Sequence, residues 1–172
     1  MRYLLVILTF CTLSAGAQNE TDAVKATVNR LFDGMRKGDS ALLMQAFAPG
    51  AILQSVGRTR EGATVVRTDS VAAFARQIGT PHTEVYDERI EFGAIHIDGN
   101  MASVWTPYKF YLGDKFSHCG VNSFQLVKLN GAWKIQYLID TRRREGCEKE
   151  KSEVRGRKSE EEVYRIEKSF RF

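Results

Sequence analysis

His118 and Asn122 stand out as residues whose types and spacing suit chemistry. They lie four positions apart in the segment SHCGVNSF, and an even separation along a strand puts both side chains on one face. A histidine titrates near neutral pH and can accept a proton there. An asparagine on the same face can donate a hydrogen bond to an oxyanion as it forms. A general base beside an oxyanion donor is one reading of the pair. The plainer alternative is a histidine satisfied by a backbone carbonyl or by Asn122, helping to shape a ligand pocket. Cys119 adjoins His118 but points to the opposite face, so the two do not form a local thiol–imidazole pair. Other chemistries find little support. His82, His96 and His118 have no metal-ligand spacing, so no metal is expected. Phosphate-binding and dinucleotide glycine motifs, H-E-x-x-H and G-x-S-x-G are all missing from the sequence, so no cofactor is expected.

The elements that must position His118 and Asn122 are marked by turns. Alternating runs cover Glu84–Ile97, Met101–Leu112, Lys115–Leu129 and Ala132–Arg142, separated by Asp98-Gly99-Asn100, Gly113-Asp114 and Asn130-Gly131. Asn-Gly between alternating runs is the strongest short hairpin signal. Two-residue turns at Gly113-Asp114 and Asn130-Gly131 predict a register in which Phe124 opposes Tyr137, Asn122 opposes Ile139 and Trp105, and His118 opposes Lys109. One face then carries Trp105, Tyr111, Phe116, Phe124, Leu126, Trp133, Ile135, Tyr137 and Ile139, with His118, Asn122, Ser103 and Thr141 as its polar members. Polar groups among aromatics suggest a ligand pocket lined by Trp105, Tyr111, Phe124, Tyr137, Ser103 and Thr141. The other face carries Val104, Tyr108, Phe110, Cys119, Val121, Val127 and Leu138 with Asp140. It is too apolar for plain surface and suggests a homodimer interface. In this register no carboxylate faces the pocket.

Upstream, helical spacing of Val24, Val28, Leu31, Phe32 and Met35 predicts a helix over Asp22–Lys37. A short helix follows over Ala41–Phe47, then strands at Ala51–Val56 and Ala63–Arg67, and a third helix from Asp69 or Ser70 through Ile78. Before these, Arg2, an apolar run from Tyr3 to Leu13 and Ala15-Gly16-Ala17 have the order of a secretory signal peptide, expected to occupy residues 1–17. The run is too short for a membrane span, so no membrane insertion is expected after cleavage. Residues 18–147 form one domain, and 148–172 a charged extension. The formal net charge of +4 comes mostly from Arg142 onward, where opposite charges interleave. Nucleic acid is therefore not an expected partner. Ser159-Glu160-Glu161-Glu162 reads there as a capping box before a short amphipathic helix, although alternation in the same stretch also fits a strand.

Removal of the leader takes Cys11 with it and leaves Cys119 and Cys147. Export implies an oxidising compartment, and the predicted register sets Cys119 opposite Arg142. A turn near Glu145-Gly146 can return Cys147 to it, so a Cys119–Cys147 disulfide is expected, with free thiols as the alternative.

The order helix, helix, strand pair, helix, long meander resembles the nuclear transport factor 2-like cone. The segment TPYKFYLGDKFSHCGVNSFQLVKLNGAWKI followed by DTRRREGC is similar to the exported bacterial, SnoaL-like branch of that superfamily. LFDGMRKGD and FAPGAIL match it in style, and the resemblance covers roughly Glu20 to Cys147. It implies an α+β fold, a curved antiparallel sheet wrapped around three N-terminal helices. The superfamily includes ketosteroid isomerase, scytalone dehydratase, limonene epoxide hydrolase and polyketide cyclases, as well as binding proteins with no chemistry. Two functions follow. The first is an exported domain that binds a small hydrophobic or aromatic molecule. The second is a small isomerase, dehydratase or cyclase using His118 as base, with the missing carboxylate as a departure from that pattern.

Overall fold

The structure, a computed structural model, describes residues 12–147. The expected leader up to Cys11 and the extension from residue 148 onward, including the expected capping box, lie outside the described residues. The elements run α1 (Thr12–Lys37), α2 (Ser40–Met44), β1 (Phe47–Arg58), β2 (Thr64–Ser70), α3 (Val71–Gly79), β3 (Tyr86–Ile90), β4 (Ile95–Asp98), β5 (Met101–Leu112), β6 (Lys115–Leu129) and β7 (Ala132–Thr141).

Local chemistry accounts for most of these limits. Asp39 caps α2 by accepting from Leu42 N at 2.8 Å, and Ser70 caps α3 by accepting from Ala73 N at 3.1 Å. The expected cap at Thr21-Asp22 is not used. Helix α1 starts at Thr12 and passes through the expected cleavage point; no proline precedes Pro49 to break it. The expected single strand Glu84–Ile97 is divided into β3 and β4, both paired with β5.

The sheet order is β2-β1-β7-β6-β5-β3, with β4 also on β5. All pairings are antiparallel except β1 with β7, which is parallel, so the sheet is mixed rather than wholly antiparallel. The β6–β7 hairpin turns at Asn130 and Gly131, whose φ values of 50° and 80° are those of the Asn-Gly type I′ turn.

Both hairpins begin in the expected register. Leu129 opposes Ala132 and Leu112 opposes Lys115. Each then slips by one residue. Tyr111 pairs with Phe116 but Phe110 with His118, leaving Ser117 unpaired on β6. Gln125 pairs with Tyr137 but Leu126 with Ile135, leaving Gln136 unpaired on β7. These are β-bulges, and each reverses which side chains face inward beyond it. The real opposites are therefore Phe124 and Leu138, Asn122 and Asp140, Asn122 and Thr106, and Cys119 and Arg143.

The concave face packs on the helices. Val24, Val28, Leu31, Phe32 and Met35 of α1 join Leu43 of α2, Ala75 and Ile78 of α3, and Ala102, Val104, Phe124, Leu126, Trp133 and Ile135 of the sheet in one core. Phe32 meets Phe124 edge-on at 6.2 Å between ring centroids. Glu20 on α1 ties the far end of the meander, accepting from Trp133 Nε1 at 2.8 Å and pairing with Lys128 Nζ at 2.6 Å.

The two faces are consequently redistributed. Val104, Tyr108, Phe110 and Leu138, expected on an outer dimer surface, lie on the concave side. Trp105, expected inside, is 49% exposed on the convex side, and Phe116 is also exposed.

Candidate functional site

A cavity of about 460 Å³ opens between the helices and the concave sheet. Its inner wall is apolar, made by Leu31, Phe32 and Met35 of α1, Phe74 and Ile78 of α3, and Phe110 and Leu138 of the sheet. Its other side is polar, with Glu88 of β3, His118 and Asn122 of β6, and Asp140 of β7. Asp69, Ala73, Gln77 and Arg142 line it as well, and all four are exposed, so they mark the mouth.

The bulge at Gln136 puts Asp140 here. Beyond it the inward residues of β7 are Leu138 and Asp140, and Asp140 is buried. Its Oδ2 accepts from Arg142 Nε at 2.8 Å and from the Tyr108 hydroxyl at 3.3 Å. Arg142 also donates to Ser55 Oγ at 3.1 Å. The Tyr108 hydroxyl donates to the Thr141 carbonyl at 2.9 Å. Tyr108 can lie across this strand end because residue 120 is glycine. A Cβ there would stand 1.8 Å from Thr141 O and 2.8 Å from Tyr108 Cε1.

Glu88 enters from the neighbouring side. Asn122 Nδ2 donates to its Oε1 at 2.8 Å. The carboxyl is pushed up to about 7, first by desolvation among the surrounding side chains; the nearby Asp140 adds to this and the Asn122 bond works against it. The Tyr108 hydroxyl is likewise pushed up, by burial first and then by the Glu88 and Asp140 charges. His118 is held below the ordinary histidine value, by burial first and then by Arg142, which favours the neutral imidazole. Its Nδ1 lies 3.1 Å from Ser117 Oγ, and its ring packs on Phe110 and Tyr108.

His118 and Asn122 therefore sit together in the cavity wall. The six residues expected to contact a ligand do not line the cavity. Trp105 and Ser103 face outward because the bulge at Ser117 reverses β5 relative to the predicted register. Tyr111 and Phe116 pack edge-on against each other before that bulge, with Arg89 over the Tyr111 ring. Phe124 is fully buried against α1. Tyr137 follows the Gln136 bulge and donates to Gln54 Oε1 at 2.6 Å. Thr141 is exposed and accepts at Oγ1 from Val121 N. The expected lack of an inward carboxylate is overturned by Glu88 and Asp140. One sign was present: Tyr137, Leu138 and Ile139 are apolar in succession and break the alternation of Trp133 and Ile135.

Cys119 and Cys147 are joined by a disulfide with Cα atoms 5.8 Å apart. Beside it, Cys119 and Arg143 exchange backbone hydrogen bonds of 2.9 and 2.8 Å. The segment following β7, which carries Arg142, is thus clipped to β6.

Comparisons place this architecture among known proteins. An NTF2-like protein of unknown function from Shewanella baltica has a TM-score of 0.58 at 18% identity, covering 73% of this chain and 94% of its own. An NTF2-like protein with a cystatin-like fold from Novosphingobium aromaticivorans reaches 0.62 at 13% identity, covering 80% and 92%. A domain of unknown function with a cystatin-like fold from Nostoc punctiforme gives 0.58 at 15% identity, covering 88% and 96%. At these identities the likeness establishes the fold. Comparison with curated proteins finds no match. The model of the family described as "Putative lumazine-binding" matches residues 19–137, most of the described domain, and the chain, which shares the fold of the NTF2-like structures, belongs to that family.

Proposed function

We propose that the cavity binds a small, flat heteroaromatic molecule of the lumazine type. The observation that carries this is the cavity itself, with aromatic and aliphatic walls on one side and a cluster of hydrogen-bonding groups on the other. That division suits a ring system with polar atoms along one edge. The family description supports the same class of ligand. Mass spectrometry of small molecules retained by the natively purified protein, followed by titration with lumazine, tests the reading. Saturable one-to-one binding is expected. Ala73→Trp, which places an indole at the exposed mouth without disturbing the core, should abolish it. A protein that carries nothing and fails to bind lumazine overturns it.

A second reading, a proton-transferring enzyme, is favoured by one observation: two carboxyl groups face the cavity. Glu88, with its raised proton affinity, then replaces His118 as the candidate general base. We place the protein outside the cytoplasm after removal of residues 1–17, and the Cys119–Cys147 bond supports an oxidising location. We also propose that two copies pair through the convex sheet face, now on the strength of half-exposed Trp105 and Ile52. Sedimentation velocity showing only monomer at micromolar concentration would remove that part.

A further inference from the structure

We infer that the ligand docks through an N–H-bearing, basic edge held by Glu88 and Asp140, and that the pocket discriminates against anionic ligands. This rests on the cavity being the binding site and specifies what it takes.

The argument begins with hydrogen-bond demand. Three donor groups of the polar wall already have protein partners. Asn122 Nδ2 serves Glu88, Arg142 serves Asp140 and Ser55, and the Tyr108 hydroxyl serves Thr141 O and Asp140. The acceptors are not exhausted. Glu88 uses Oε1 and Asp140 uses Oδ2, while Glu88 Oε2 and Asp140 Oδ1 have no partner among the described residues. Neither is a sealed atom: among the described residues the buried side-chain oxygen without a partner is Thr106 Oγ1. A ligand reaching this wall meets unsatisfied carboxyl oxygens, whose complement is a set of N–H donors.

Charge points the same way. Arg142 is the cavity's one guanidinium and is neutralised by Asp140. Burial and the Arg142 charge disfavour a positive charge on His118. Glu88 within and Asp69 at the mouth make no ion pair with a cavity-lining residue. A carboxylate or phosphate entering would face Asp69 and the ionised fraction of Glu88, and a protonated or amino-substituted ring would meet acceptors of opposite charge. The two carboxyls also flank one residue, since Asn122 bonds Glu88 and lies opposite Asp140 on the neighbouring strand. They can therefore address adjacent positions of one ring edge.

Glu88 holds a proton on much of the population at neutral pH. A basic ring edge favours the ionised carboxylate, so on binding the Glu88 proton should pass to the ring.

A matched set of pteridines tests this. Lumazine carries two carbonyls where 2,4-diaminopteridine carries two amino groups on the same rings, and pterin-6-carboxylate adds a negative charge. Fluorescence titration of the wild-type protein at pH 7 should find 2,4-diaminopteridine bound about tenfold or more tighter than lumazine, the scale of a charge-assisted hydrogen bond. Pterin-6-carboxylate should bind weakest. The free diaminopteridine is largely neutral at pH 7, so its absorption spectrum should shift toward that of the protonated ring on binding. Glu88→Gln, which keeps the acceptor for Asn122, should bring the diaminopteridine-to-lumazine preference close to one and abolish the spectral shift. Equal affinities, or tightest binding of pterin-6-carboxylate, overturns the inference and leaves the cavity as the binding site. Binding of none of the three overturns the cavity reading and this inference with it.

Discussion

Asn122 on β6 reaches across β5 to donate to Glu88 on β3, with Nδ2 and Oε1 2.8 Å apart. Two strands that are not neighbours in the sheet are thus joined above the concave surface by a single side-chain hydrogen bond. The bond also opposes the burial that protonates Glu88. Replacing Asn122 by Ala should raise the Glu88 proton affinity above its value of about 7, because the bond favours the charged form. Loss of a buried partner should also cost about 1–3 kcal/mol. Carbon-detected NMR titration of the Glu88 carboxyl and urea denaturation measure the two effects. An unchanged titration midpoint would show that the bond does not tune the carboxyl.

The raised Glu88 proton affinity carries a pH signature. The group binds its proton more tightly folded than unfolded, so its contribution to stability is complete below about pH 4.5 and is lost as pH rises to about 7. Glu88→Gln removes the titrating group. The difference in unfolding free energy between variant and wild type should therefore grow by about 2–3 kcal/mol across that window and level off above it. Urea denaturation at closely spaced pH values reads this directly. A flat difference would refute the assignment.

Gly120 is the tightest backbone position among the described glycines. An added Cβ would stand 1.8 Å from Thr141 O, a backbone atom that cannot yield without moving β7. Gly120→Ala should destabilise by about 3 kcal/mol or more, as strain in a packed core does. It should also displace Tyr108 from Asp140. Thermal unfolding gives the first and tyrosine absorbance titration the second.

The disulfide closes a separation of 28 residues. Cys119→Ser with Cys147→Ser should lower stability by about 3–4 kcal/mol on the loop-entropy model. Freed from β6, the segment bearing Arg142 should become more open to hydrogen exchange. Retained protection of Arg143 N in the double variant would mean that the backbone bridge alone holds it.

Much of the fold is legible locally. The Val24 to Met35 stripe, the Asp39 and Ser70 caps and the Asn130-Gly131 turn each rest on a few adjacent residues, and the hairpins start in the predicted register. His118 and Asn122 were legible as a same-face pair on one strand, where parity is safe. Residues across a hairpin were not. Ser117 and Gln136 bear no residue-type signature of a bulge; what admits the extra residue is packing, which turns Leu138 inward toward α3 and lets Tyr108 lie over Gly120. Asp140, Trp105 and Tyr137 were misplaced together for that one reason. Glu88 was missed differently, since the expected strand Glu84–Ile97 had no turn-anchored register.

Gln136 bears on how robust the lining of such a pocket is. The residues from 137 onward present either Leu138 and Asp140 or Tyr137 and Ile139 to the interior, and one unpaired residue decides between them. Drawn into the ladder, Gln136 would turn Tyr137 and Ile139 inward and exchange an acidic lining for a greasy one with no change of sequence. Its deletion would instead make Ile135 and Tyr137 consecutive in the same pairings and keep Asp140 inside, so the lining withstands loss of this residue but not a slip of the strand.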